Sequence, residues 1–130
     1  MTTKIILADD HPVVRTGLRT LLQAHTDLEV IAEASDGLEA CRLVESLKPD
    51  VLVLDLMLPH LSGIEVTRQV VKDSPRTAVV ILSMYGSENY VHEALKAGAK
   101  AYVLKESTSD ELVRAVREAA AGHASLAAAR

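Results

Sequence analysis

Four short apolar runs in this chain lead into groups that can do chemistry. KIILA runs into Asp9 and Asp10, VLVL into Asp55, TAVVIL into Ser83 and KAYVL into Lys105. Brought together, they would set three carboxylates, a hydroxyl and an ammonium side by side. Three carboxylates in contact repel, so one must hold a proton unless a cation sits among them. Oxygen donors without cysteine or histidine favour a hard ion, Mg²⁺ in particular, which takes a few carboxylates and keeps its waters. A carboxylate beside such an ion, with an amine and a hydroxyl opposite, suits phosphoryl transfer. The cation and the ammonium neutralise the moving group while the carboxylate attacks phosphorus and forms an acyl phosphate. Singly, each residue has a plainer reading. Asp9 or Asp10 can cap a following helix, Ser83 can be a turn residue, and Lys105 a solvated lysine. Asp55 is harder to dismiss, because a charge directly after VLVL and before Leu56 and Met57 is costly unless paired or used.

The chemistry requires the runs to be strands of one sheet, and the pattern supports that. Lys4 to Ala8, Leu28 to Glu33, Asp50 to Asp55, Thr77 to Leu82 and Lys100 to Leu104 read as strands. The first, third and fourth are almost continuously apolar, as in a parallel sheet covered on both faces. Between them apolar residues recur at helical spacing: Val14, Leu18, Leu21 and Leu22; Ala40, Leu43, Val44 and Leu47; Val66 and Val70; Val91, Ala94 and Leu95; Leu112, Ala115, Val116 and Ala119. Ser62 with Glu65, and Thr108 with Glu111, form capping boxes. Gly98 stands where a helix wants a left-handed end, and Pro49 and Pro75 mark helices already finished. Five β-α units in succession predict an α/β fold, a doubly wound parallel sheet with helices on both faces. In such a sheet the carboxyl ends of the strands line the binding crevice, and that is where all the reactive groups fall.

Composition narrows the field. The chain has 130 residues, 48% hydrophobic and 25% charged, which is one ordinary domain and the opposite of a disordered composition. Its three aromatics are all Tyr, so the core must be aliphatic. A formal net charge of −4 disfavours direct binding to a phosphate backbone. The single cysteine, Cys41, excludes an internal disulfide scaffold and reads as a small, half-buried apolar residue. MTTKIILADD is no signal peptide, and no apolar stretch approaches the roughly 18 residues of a membrane span. A cytoplasmic protein with no membrane partner is expected. His11, directly after the acidic pair, is within reach of the site edge but fits a capping or surface role better, and the other histidines show no metal-ligand spacing.

The segments LADDHPVVRTGL (7–18), DLMLPHLSGIEV (55–66), ILSMYG (81–86) and GAKAYVLKES (98–107) resemble the receiver domain of two-component response regulators. Ser83 and Lys105 follow Asp55 by 28 and 50 positions, spacings that also fit. The resemblance spans residues 3–121, with 122–130 as a tail or the start of an interdomain linker. It is strongest to the subfamily whose members carry a C-terminal LuxR-type helix-turn-helix. The family implies a flavodoxin-like (βα)5 sheet of order 2-1-3-4-5. It implies that Asp55 accepts a phosphoryl group from a sensor histidine kinase. Mg²⁺ would be held by Asp10, Asp55 and the backbone carbonyl of Met57, with Asp9 acting through water. Lys105 would pair with the phosphoryl oxygens, Ser83 would turn its hydroxyl toward them, and Tyr102 would change rotamer as the switch is thrown. The residues alone favour a half-buried strand aromatic for Tyr102.

The partners implied are the kinase, a homodimer formed on phosphorylation, and DNA only through an output domain outside this chain. A free-standing phospho-switch acting by protein contact is the alternative. The non-periodic alanine-rich tail favours the fragment reading. No enzyme activity is expected beyond self-phosphorylation and self-dephosphorylation. The chain departs from the family where Glu106, not proline, follows Lys105, and where Ser83 replaces the commoner Thr. Two other readings fit poorly. A flavodoxin needs a phosphate-binding loop after the first strand, where this chain has ADDH. An aspartyl phosphohydrolase needs a second acid two residues beyond its nucleophile, where this chain has Met57.

Overall fold

The computed structural model describes residues 2–122. Ten elements alternate along the chain: β1 (Thr3–Ala8), α1 (Pro12–Gln23), β2 (Leu28–Ala34), α2 (Gly37–Leu47), β3 (Val51–Asp55), α3 (Gly63–Asp73), β4 (Ala78–Ser83), α4 (Glu88–Ala97), β5 (Ala101–Leu104) and α5 (Ser109–Ala120). The five strands form one parallel sheet in the order β2-β1-β3-β4-β5, as expected.

The continuous apolar runs are explained by cover on both faces. Successive strand side chains point to opposite sides. Ile5, Leu7, Val53 and Val80 pack with Leu22 of α1 and with Leu112 and Val116 of α5. Ile6, Leu52, Leu54 and Ile81 face the other way, onto Ala40 and Val44 of α2, Val66 and Val70 of α3, and Ala94 of α4. Each such aliphatic side chain contributes on the order of 1.5–3 kcal/mol by leaving water. Five helices are therefore committed to the sheet.

The capping boxes hold in part. Ser62 Oγ accepts from the Glu65 amide and Thr108 Oγ1 from the Glu111 amide. Two further caps carry no such box in the sequence reading: Asp36 accepts from the Glu39 amide at 2.8 Å, and Ser87 from the Tyr90 amide. Gly98 ends α4 with φ 113°, the left-handed geometry that glycine tolerates. Strand limits move by one residue in several places. Asp50, Thr77 and Lys100 precede their strands, while β4 extends to include Ser83. The tail beyond residue 122 lies outside the described residues.

The β3–α3 connection is held tight from both sides. The Gly63 amide donates to the Leu56 carbonyl at 2.8 Å, and the Gly37 amide to the Pro59 carbonyl at 3.2 Å. A Cβ on Gly63 would sit 2.8 Å from the Asp55 carbonyl oxygen and from Leu56 Cα, both backbone atoms that cannot yield cheaply. Gly63→Ala is therefore expected to destabilise the domain by about 1–3 kcal/mol through overpacking, read as a lower urea midpoint with an unchanged slope. A midpoint equal to wild type would show that the loop after Asp55 has slack.

Candidate functional site

Parallel strands place their carboxyl ends on one edge, so Asp9 and Asp10 after β1, Asp55 at the end of β3 and Lys105 after β5 meet there despite being far apart in sequence. Asp9 and Asp55 are almost fully buried, 1% and 6% exposed. The Lys105 ammonium bridges them, donating to Asp9 Oδ2 at 3.0 Å and to Asp55 Oδ2 at 3.2 Å. The remaining oxygens are held by the backbone. Asp9 Oδ1 accepts from the His11 amide at 2.9 Å, and Asp55 Oδ1 from the Met57 amide at 3.1 Å. Neither Asp9 nor Asp10 caps α1. The cap position is His11, whose side chain makes no capping bond, and Pro12 fills the first helical turn instead.

His11 takes the cap position and is exposed, as expected, and its ring also reaches the edge of the site. Its Nδ1 lies 3.1 Å from Asp9 Oδ1 and 3.0 Å from Asp10 Oδ1, so the imidazole closes the rim of the acidic pair. Only the first of these contacts has hydrogen-bond geometry, and Asp10 Oδ1 is buried with no hydrogen-bond partner. One ligand atom from each of Asp9, Asp10, His11 and Asp55 falls within 4.8 Å of the others.

Charge is balanced against burial at the central pair. Burial holds the Asp55 carboxyl above its ordinary value, overcoming the Met57 amide and the Lys105 charge, while the Asp9 carboxylate adds to the rise. Burial alone would pull the Lys105 ammonium down, but its bond to Asp9 and the charges of Asp55 and Asp9 outweigh that and hold it above its ordinary value. A divalent cation fits this cluster on its own terms. Three carboxylates lie within reach of one another, and one oxygen is orphaned in the interior, an arrangement that is expensive unless something binds it.

Ser83 ends β4 beside β3, but its hydroxyl is turned to the loop that follows, accepting from the Tyr85 amide at 2.9 Å. Tyr102 is fully buried, more than the half-buried placement its strand position suggested, and its hydroxyl donates to the Tyr85 carbonyl. The two hydroxyls thus meet on the main chain of a single residue. Desolvation raises the Tyr102 phenol above its ordinary value, so it stays a donor. Among the described residues no peptide is cis, so the bond from Lys105 to Glu106 is trans. Arg15, whose role no sequence pattern reveals, donates to the Asp9 carbonyl at 2.6 Å.

Fold and site together define an open α/β domain whose crevice is acidic, with no phosphate-cradling glycine loop among the described residues. Residues 5–117 match the family model of the response regulator receiver domain, and the chain belongs to that family. It is 47% identical over 115 residues to the oxygen regulatory protein NreC of Staphylococcus epidermidis, covering 88% of this chain and 53% of NreC. It is 44% identical over 111 residues to the transcriptional regulatory protein YhcZ of Bacillus subtilis, covering 85% of this chain and 52% of YhcZ. The chain therefore spans about half the length of these curated relatives. Among solved structures it superimposes on the signal receiver domain of the response regulator NarL from Mycobacterium tuberculosis with a TM-score of 0.90 and 34% identity, covering 94% of this chain and 98% of that one. A LuxR-family two-component response regulator from Aurantimonas gives a TM-score of 0.93 at 38% identity, with 98% and 91% covered.

Proposed function

We propose that this receiver domain is switched by phosphorylation of Asp55 and controls transcription through an output domain outside these residues. The observation that carries the reading is the buried Asp55 carboxylate, held by Lys105 within an acidic cluster that leaves an Asp10 oxygen unpartnered. The donor is a phosphohistidine of a sensor kinase. Asp55 attacks phosphorus, the phosphorus–nitrogen bond breaks, and the electron pair leaves with the imidazole, which takes up a proton. Asp10, Asp55 and the Met57 carbonyl would hold Mg²⁺, with Asp9 acting through water, and the bound ion would neutralise charge on the transferring group. Lys105 is placed to move from the Asp55 carboxylate to a phosphoryl oxygen. Ser83 must exchange its bond to Tyr85 for one to the phosphoryl group, and the Tyr102 hydroxyl rests on that same Tyr85 backbone. Freeing one hydroxyl therefore disturbs the anchor of the other, which supplies the coupling a population shift needs.

A cytoplasmic location, a sensor histidine kinase, and dimerisation on phosphorylation follow from this reading, with DNA reached only through the output domain. Incubation with Mg²⁺ and acetyl phosphate, followed by mapping of the modified residue, tests it. Label on Asp55 that disappears on chelation is expected. Label elsewhere, or label that survives chelation, overturns the acceptor or the ion respectively.

The neighbours of the site also bear on how long the phosphoryl group lasts. Met57 and Tyr85, two positions beyond Asp55 and Ser83, are half-exposed and carry neither an acid nor an amide to orient a water. Self-dephosphorylation is expected to be slow, and Met57→Asn is expected to speed it several-fold. A wild-type acyl phosphate that decays within seconds would contradict this.

A further inference from the structure

The main chain at Asp9 is gripped on both flanks, by its amide and by its carbonyl, and the carbonyl belongs to the peptide that leads into Asp10. The Asp9 amide donates to the Ala34 carbonyl of β2 at 3.1 Å. The Asp9 carbonyl accepts from the Arg15 guanidinium at 2.6 Å. Arg15 is itself locked, because its Nε donates to Glu33 Oε1 at 3.1 Å, and the second Glu33 oxygen is held by Arg19. Arg15 and Glu33 are mostly buried, so the fork has one geometry and not several. A peptide unit is planar and rigid. Holding its carbonyl oxygen fixes the plane, and the plane sets the direction in which Asp10 leaves the main chain. Asp10 carries the unpartnered oxygen of the acidic cluster, with only the exposed His11 ring, 3.0 Å away and without hydrogen-bond geometry, beside it.

We infer that Arg15, braced by Glu33, is a positioning residue for the cation site: it aims Asp10 by holding the Asp9–Asp10 peptide from β2. The inference rests on the proposed Mg²⁺ site and names a determinant of its affinity outside the residues that would touch the ion. It also separates cleanly from a charge effect. Removing a cation near an acidic site should tighten binding of a divalent ion, whereas removing a positioning group should weaken it.

The test is calorimetric titration of Mg²⁺ into the metal-free chain, with the melting temperature of each variant measured beside it. Arg15→Ala is expected to weaken Mg²⁺ binding by roughly ten- to a hundredfold, the usual range for loss of an outer support, despite the lost positive charge. Arg15→Lys, which keeps the charge but cannot grip the Asp9 carbonyl and Glu33 as a fork, is expected to lose several-fold and is the deciding variant if the alanine form does not fold. Acetyl phosphate labelling of Asp55 in either variant should return to the wild-type rate at saturating Mg²⁺. Affinity equal to or above wild type in a folded variant overturns the inference, even where the melting temperature has dropped, because that pattern is purely structural support. A wild-type chain that takes up no Mg²⁺ overturns the underlying site, and this assignment with it.

Discussion

Asp55→Asn is expected to abolish labelling by acetyl phosphate and, at neutral pH, to make the metal-free protein more stable. The first effect follows from chemistry, since an amide does not attack phosphorus at a useful rate. The second follows from burial. The carboxyl is held above its ordinary value chiefly by desolvation. A group whose folded pKa is raised contributes most below its unfolded pKa, and that contribution is lost as pH rises through the folded value. At neutral pH the ionised Asp55 is therefore a net cost to folding. Asparagine keeps the size, can still accept from the Met57 amide, and leaves Lys105 its bond to Asp9. The gain is read as a higher urea midpoint at neutral pH. The gain should shrink as pH falls toward the ordinary carboxylate range, about 4, where the wild-type group is protonated in both states. Urea unfolding of both proteins across that range measures it. A variant less stable than wild type at neutral pH would mean that the ion pair with Lys105 outweighs the desolvation.

Lys105→Met should act in the opposite direction. Lys105 is the cation that spans Asp9 and Asp55, and its own side chain is largely buried. Removing one partner of a buried pair leaves an uncompensated charge, here two of them, at a cost of about 2–3 kcal/mol once the ammonium's partial access to water is allowed for. Because the Lys105 pKa is raised, its contribution is present below the ordinary lysine value and persists through neutral pH, while the loss should shrink toward acid as the uncompensated Asp55 carboxylate takes up a proton. Mg²⁺ should rescue the variant more than it helps the wild type. Deleting a neighbouring positive charge ought to tighten binding of the ion by about tenfold, while phosphorylation of Asp55 slows for want of the ammonium. Thermal melts with and without Mg²⁺ decide the matter. Equal stabilisation of both proteins by the ion would show that the lysine and the cation do not share the same carboxylates.

The parallel sheet and the edge at which Asp9, Asp10, Asp55 and Lys105 gather were legible because both rest on short-range rules, whereas the strand order came with the family resemblance. Short, largely continuous apolar runs, helical spacing between them, and the right-handed crossover point to a parallel sheet covered on both faces. A parallel sheet then sends every strand's carboxyl end to the same side. Ser83 and Tyr102 were legible as positions but not as contacts. That both hydroxyls converge on the Tyr85 main chain depends on how the β4–α4 loop folds back over β5. No local pattern encodes that.

What the amino-acid sequence determined by itself is the kind of site this protein has: acids, an amine and a hydroxyl at the ends of apolar strands, under helices that the burial periodicity requires. What only the tertiary structure decided is how those groups are held. The reach of Lys105 across to both carboxylates, the orphaned oxygen on Asp10, the His11 ring at the rim and the Arg15–Glu33 brace behind the acidic pair all depend on distances between side chains remote along the chain. Periodicity reports which face a residue takes, because backbone geometry repeats. It is silent on which long, flexible side chain finds which partner, because that is settled by desolvation and charge after the helices have packed.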